Sequence, residues 1–217
     1  MQGLISSVDS ISKDGRIQGD DGHIYSFDKT SFSKAEDADS VCVGIRSEFE
    51  ADDRGFCTQL ELLDVKAFAE DSMTYFEPPA TQIDKGMQIV GYEIIDRAGG
   101  PIVKGDRNIE HARYRLLHEC ESLGANAVLN YSIQKQVRNS FGFGFAYYNA
   151  YGIPAVIGRP DVKGDCTRRE LASKLNHKKI NSLRSMVENA TVAKIVLRIL
   201  GGILLVIFTV GFIMSNM

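Results

Sequence analysis

The spacing of apolar positions divides the chain into stretches of different period. Residues 1–65 carry short alternating runs broken by turn residues. Gly3-Leu4-Ile5-Ser6-Ser7-Val8 opens a strand, Lys13-Asp14-Gly15 turns the chain, and Arg16-Ile17-Gln18 leads into Gly19-Asp20-Asp21-Gly22. His23-Ile24-Tyr25-Ser26-Phe27 follows. After a polar stretch come Val41-Cys42-Val43-Gly44-Ile45-Arg46-Ser47-Glu48-Phe49 and Thr58-Gln59-Leu60-Glu61-Leu62. Asp-Gly dipeptides between alternating runs are hairpin signals. Several strands in so short a stretch predict a small all-β barrel, because closure leaves no strand edge open.

Residues 66–85 hold Pro78-Pro79 among polar positions with no clear period and predict a linker. The pattern changes in residues 86–160. Met87-Gln88-Ile89-Val90-Gly91-Tyr92-Glu93-Ile94-Ile95 predicts a strand. Ile109, Ala112, Leu116, Cys120 and Leu123 then recur every three or four positions, which predicts a helix capped by Asn108 or Asp106. Gly124 stands where a helix C-cap belongs. Ala127-Val128-Leu129-Asn130-Tyr131-Ser132-Ile133 and Ile153 to Ile157 predict two more strands, so this stretch reads as an α+β domain.

Between those strands, Phe141, Phe143 and Phe145 alternate with glycine, and an extended backbone places all three rings on one face. Two readings stand. The rings pack in a core or an interface between copies, or they form an aromatic patch that meets a partner or the bilayer surface.

Residues 161–194 place Leu171, Leu175, Leu183 and Val187 roughly on one face of a helix, with basic residues elsewhere. They predict a basic juxtamembrane helix or helical linker. Residues 195–214, IVLRILGGILLVIFTVGFIM, carry one charge, Arg198. A helix of about 20 residues spans roughly 30 Å, the thickness of a hydrocarbon core, so this stretch predicts a single C-terminal transmembrane helix. Only Ser215, Asn216 and Met217 follow it.

The net charge of −3 is unevenly spread: −8 over residues 1–65, zero over 66–160 and +5 over 161–217. The basic residues flanking the apolar stretch include Lys178, Lys179, Arg184, Lys194 and Arg198, and the positive-inside rule puts the preceding domains in the cytosol. Met1-Gln2-Gly3 and the alternation after it do not form the basic flank and apolar run of a signal peptide. Four scattered cysteines with no C-x-x-C pair fit structural thiols in a reducing compartment.

Two resemblances follow from these residues. G-x-I, D-G-x-I, D-D-G-x-x-Y-x-F, V-G-I-R-S-E-F-E and R-G-F-C, in that order over residues 1–65, resemble a cold-shock domain, a five-stranded OB-type barrel. In that family Lys13-Asp14-Gly15-Arg16-Ile17 and Ile24-Tyr25-Ser26-Phe27 match the two nucleic-acid motifs. The resemblance implies single-stranded nucleic-acid binding, with Lys13 and Arg16 on phosphates and Tyr25 and Phe27 as stacking rings. Physically, a net charge of −8 opposes this, since affinity for nucleic acid comes mostly from Lys and Arg releasing counterions.

Residues 86–158, with G-Y-E-I-I, an Arg- and Glu-rich helix, L-G-A-N-A-V-L and A-Y-G-I-P-A-V-I, resemble the YbjQ-like family. These are small bacterial α+β domains associated with ring-like homo-oligomers and filed as heavy-metal binders. A bacterial inner membrane is then the implied location. His111 and His118 are the candidate metal positions. They lie seven apart on one helix face, whereas helical chelation usually uses a spacing of three or four. No metal or other cofactor is expected.

No Ser/His/Asp or Cys/His framework, phosphate-binding glycine loop or H-E-x-x-H is present in the sequence, and the expectation is a protein without catalysis. The expected architecture is multi-domain. An OB-like barrel (1–65) and a linker (66–85) precede a YbjQ-like α+β domain (86–160), a basic juxtamembrane segment (161–194) and a transmembrane helix (195–214). The expected function is a membrane-anchored scaffold or binding protein that self-assembles, with the lipid bilayer and copies of itself as partners. A membrane-tethered nucleic-acid binder and a metal or small-ligand sensor are the alternatives.

Overall fold

The strand signals of the first 63 residues fold as one curled antiparallel sheet in the computed structural model, which describes residues 1–63, 74–140, 143–161 and 163–185. Strands β1 (Gln2–Asp9), β2 (Asp14–Gly19) and β3 (Ile24–Phe27) form a meander. The other edge of β1 pairs with β4 (Arg46–Ala51), which pairs with β5 (Cys57–Leu62). Isolated bridges join Ser26 to Phe56 and Phe32 to Leu60, so the outer strands curl back towards each other. A short helix, α1 (Asp37–Ser40), precedes β4.

Alternation decides what fills the curl. Ile5, Ile17, Phe27, Ile45, Phe49 and Leu60 are all buried. The Tyr25 and Phe49 ring centroids lie 5.1 Å apart, and Phe27 meets Phe32 edge-on at 5.7 Å. Gly15 permits this packing. A Cβ there would lie 2.4 Å from the Phe27 ring and 2.3 Å from the Ser7 carbonyl oxygen.

The following residues supply β6 (Thr74–Phe76), β7 (Gln82–Ile83), β8 (Glu93–Arg97), β9 (Ile102–Asp106), α2 (Ile109–Ser122), β10 (Ala127–Ser140), β11 (Phe143–Asp161), β12 (Cys166–Thr167) and α3 (Arg168–Ala172). Strand β11 is the spine. One edge pairs along its length with β10, and the other pairs in turn with β9, β8 and β6. Helix α2 buries Ala112, Leu116 and Cys120. The Asn108 side chain caps it by accepting from the Glu110 and His111 backbone N–H groups. Gly124 ends it at φ +85°, and a Cβ there would lie 2.0 Å from the Lys174 carbonyl oxygen, so both conformation and space call for glycine.

The architecture is therefore mostly β, a curled half-barrel sheet with few helices. One strand pair joins its two parts: β1 and β8 run parallel through Val8–Glu93 and Asp9–Ile94. Residues 1–63 and 86–160 accordingly lie in one compact unit, Met1–His177, with Lys178–Met217 as a second.

Three local expectations differ from the structure. Part of the segment read as a linker is strand: β6 pairs with β11 and β12, and β7 pairs with β10. Strands of three and two residues are too short to carry a readable period, and pairing partners set them instead. Strands β10 and β11 run well beyond the expected 127–133 and 153–157, because their outer parts are exposed and lack the one-sided alternation that marks a half-buried strand. The helix expected within residues 161–194 is broken: α3 stops at Ala172, and helix resumes over 177–185. Thr167 and Glu170 form a capping box at its start. Among the described residues no helix is long and apolar enough to cross a membrane. Residues 195–214, with Lys194 and Arg198, lie outside them.

Candidate functional site

The barrel surface comes first, because Lys13, Arg16, Tyr25 and Phe27 were the candidate nucleic-acid contacts. Period two turns Tyr25 and Phe27 inward: Phe27 is 1% exposed and Tyr25 9%. The Tyr25 hydroxyl donates to Asp21 Oδ2 at 2.5 Å, which raises its own pKa and lowers that of Asp21. Both rings pack in the barrel core, and neither is open to stack on a base. The outward positions of β2 and β3 are Asp14, Arg16, Gln18, Ile24 and Ser26, which supply one cation, one acid and no ring. Lys13 adopts φ +61° and lies 3.7 Å from Asp39. A shallow cavity of about 330 Å³ beside Arg16 is also lined by Asp14, Asp28 and the half-buried ring of Phe56. Burial, followed by the charge of Asp9, raises the Asp14 pKa.

The helix α2 histidines sit on its outer side. His111 is exposed and lies 3.9 Å from Asp106. His118 lines a cleft of about 210 Å³ with Lys104, Tyr114, Arg115 and Glu119, where Lys104 pairs with Glu119 at 2.7 Å. Among the described residues no group of three or more His, Cys, Asp or Glu side chains comes together to hold a metal ion. The thiols of Cys42, Cys57 and Cys120 are buried, and burial pushes each up to about 12, so they are protonated at neutral pH and poor nucleophiles.

A buried polar seam, which the sequence pattern did not single out, joins β1 to β8. Glu93 is fully buried and accepts hydrogen bonds from Ser10 Oγ and, at 3.1 Å, from Tyr75 Oη. Arg168 Nη2 lies 3.3 Å from the carboxylate. Burial raises the Glu93 pKa, and Arg168 opposes that shift most. Asp9 lies 2.8 Å from Arg97 Nε, a charge contact in which that N–H finds no well-aligned acceptor. Ser7 Oγ donates to Gln88 Oε1 at 3.0 Å. The signal for the seam was an acid inside an apolar run, Glu93 between Tyr92 and Ile94. Its partners come from distant positions and have no spacing to read.

The most exposed feature is the arm formed by the outer parts of β10 and β11. Pairing runs from Ser132–Tyr151 to Ser140–Phe143. Strand β9 reaches along β11 only to Tyr148, and β7 touches β10 only at Ala127 and Val128. Among the described residues the arm beyond those points is thus a two-stranded ribbon with both outer edges open. Facing pairs put Phe143, Phe145 and Tyr147 on one face with Arg138, and Val137 with Ala146 on the other. Arg138 Cζ stands 3.5 Å above the Tyr147 ring, and Arg107 Cζ stands 4.4 Å from the Phe145 centroid. At the tip Phe143 is 80% exposed, and farther back, opposite Ala146, Val137 is 73% exposed. Phe143 and Phe145 do share a face, as the alternation predicts, whereas Phe141 lies outside the described residues. Sequence reasoning missed Tyr147, Arg138 and Arg107, because only the strand pairing brings them beside the phenylalanines.

Of the bases expected to flank a transmembrane helix, Lys178 and Lys179 are exposed and Arg184 is half-buried. No family model, curated protein or solved structure matches the chain at a significant level.

Proposed function

We propose that the protein is a non-catalytic, membrane-anchored scaffold or binding protein whose β-rich unit faces the cytosol and assembles with copies of itself. The observation that carries self-assembly is the open-edged arm. A strand edge is a row of unpaired N–H and C=O groups, and another copy's strand satisfies it. The apolar 195–214 stretch and its basic flank carry the anchor. The five-stranded curl of residues 1–63 and the strand–helix–strand order after Glu93 are consistent with the cold-shock-like and YbjQ-like readings.

The nucleic-acid alternative is weaker at the barrel, whose outward β2–β3 face offers Arg16 without an exposed ring. The metal-sensor alternative would have to use His111 and His118 with ligands from elsewhere. The full chain, extracted in a mild detergent and sized by light scattering, is expected to contain several protein copies per micelle. A strict monomer at micromolar concentration would overturn the scaffold reading.

A further inference from the structure

The arm carries cations that find no anion within the fold. Arg138 stands over the Tyr147 ring and Arg107 over the Phe145 ring, on the face that also carries the exposed Phe143. Among the described residues neither arginine forms an ion pair. Stacking on a ring holds a guanidinium in place and leaves the N–H groups at its edge free for a carboxylate, which can accept two of them at once. The arm has no acid of its own. The chain holds 28 Asp and Glu residues, yet residues 122–160, which contain all of β10 and most of β11, hold none.

The opposite imbalance lies on the barrel. Strands β4 and β5 set Glu48 directly opposite Glu61, both exposed, with the exposed Glu50 two residues along β4. Like charges directly opposite on paired strands are destabilising. Among the described residues none of these three acids forms an ion pair. Together with Met1 and Phe49 they line a shallow cavity of about 320 Å³. Apolar surface among three uncompensated carboxylates is the counterpart of an exposed ring beside two guanidiniums.

We propose that the aromatic–arginine face of the β10–β11 arm docks head to tail on the outer β4–β5 face of a second copy. Phe143 then lies over the cavity beside Met1, and Arg107 and Arg138 meet Glu48, Glu50 and Glu61. The inference rests on the self-assembly reading and adds the two surfaces that meet. Among the described residues no ion pair joins the arm to β4 or β5 within one copy, so both surfaces are left for neighbours. Two unlike surfaces make a heterologous contact, which closes into a ring or runs on as a filament. Single-stranded nucleic acid would also suit rings and arginines. It would leave the Glu48–Glu61 repulsion uncompensated and would meet the net charge of −8 over residues 1–65, whereas a second copy answers both.

Charge reversal in the full chain, sized by light scattering in mild detergent, tests the contact. Arg107→Glu with Arg138→Glu should weaken association by about tenfold or more, and so should Glu48→Lys with Glu61→Lys. An equimolar mixture of the two reversed proteins should recover the assembly, because each arm then meets a face of opposite charge. The milder Glu48→Gln with Glu61→Gln should weaken association in the same direction. Lys135→Glu, on the other face of the ribbon, should change it by no more than about twofold. All these positions are exposed, and circular dichroism checks that the fold is kept. Reversed proteins that assemble as tightly as wild type, or a folded mixture that stays dissociated, overturn the head-to-tail contact and leave self-assembly to the strand edges. A monomeric wild type removes the self-assembly reading itself and this proposal with it. Lys135→Glu as damaging as the double arginine reversal puts the contact on another face and overturns it. Wild-type assemblies that fall apart under nuclease show that nucleic acid bridges the copies, and overturn it as well.

Discussion

Tyr25, Phe27, Phe32 and Phe49 in the barrel and Phe143, Phe145 and Tyr147 in the arm are alike in chemistry and similar in spacing, and the fold uses them in opposite ways. In the barrel, five strands curl until their inner faces meet, so rings on alternate positions pack on one another. In the arm, two strands have no opposing sheet, and a ribbon has no inside. There Phe143 is exposed, while Phe145 and Tyr147 are half-buried beneath arginines and the Tyr147 ring also lies against Gly105. Alternation alone therefore does not decide whether an aromatic belongs to a core. The number of strands that curl around it does.

The largest expected contrast is in stability. Phe27→Ala empties a site with no solvent access and should cost about 3–5 kcal/mol. Phe143→Ala removes a ring that is already in water and should change stability by no more than about 0.5 kcal/mol. Denaturant unfolding of the full chain in detergent, followed by far-ultraviolet circular dichroism, measures both. A loss for Phe143→Ala comparable to that for Phe27→Ala would mean that the arm is packed in a core after all, and the comparison would fail.

The seam marks where the barrel meets the rest of its unit, and there burial applies to charge. Glu93→Ala removes the buried carboxylate that accepts from Ser10 and Tyr75 and faces Arg168, and should cost about 3 kcal/mol. Glu93→Gln keeps the shape and removes the titration. Because burial raises the folded-state pKa of Glu93 above its ordinary 4.5, the folded protein binds the proton more tightly than the unfolded chain. Its contribution is fully present below pH 4.5 and is lost as pH rises through the folded value. Wild type should therefore lose stability relative to Glu93→Gln as pH rises from 4.5 through that value. Melting curves of the two proteins across that range check the sign. A gap that does not change with pH would show that Glu93 has the same pKa in the folded and unfolded states.

These contrasts also mark how much the sequence revealed. The barrel strands were readable because one face of each is buried, which leaves a period-two trace in residues such as Ile5, Ile17 and Phe27. Helix α2 was readable from its cap at Asn108, its stripe and the glycine after it. The full length of β10 and β11 was hidden for the opposite reason: with both faces exposed, positions such as Gln134, Lys135 and Gln136 are free of any hydrophobic pattern. The seam was hidden because Ser10, Tyr75, Glu93 and Arg168 come from four separate parts of the chain, and only the β1–β8 pairing brings them together. The rings at Phe143 and Phe145 were placed correctly on one face, while the cations above their face could be found only in three dimensions.

The smallest expected effect tests what those cations do. Arg138 covers the Tyr147 ring from the solvent side, and an exposed cation–π contact contributes about 0.5–1 kcal/mol. If the arm is only a ribbon held by its own hydrogen bonds, Arg138→Gln should lower global stability by no more than that, because cooperative unfolding is governed by the buried parts. The local consequence should be larger in proportion. Without the guanidinium, the Tyr147 ring loses its cover on the solvent side, and amide hydrogen exchange should rise in the neighbouring paired residues, Val137 and Ala146, with little change in β1 or α2. Hydrogen exchange read by mass spectrometry separates the two regions directly. Exchange that rises equally in the barrel would show that the arm and the core open together, and that the arm contributes to the stability of the whole unit. Exchange confined to the arm would leave it a structurally independent ribbon whose exposed residues are free to meet a surface outside the fold.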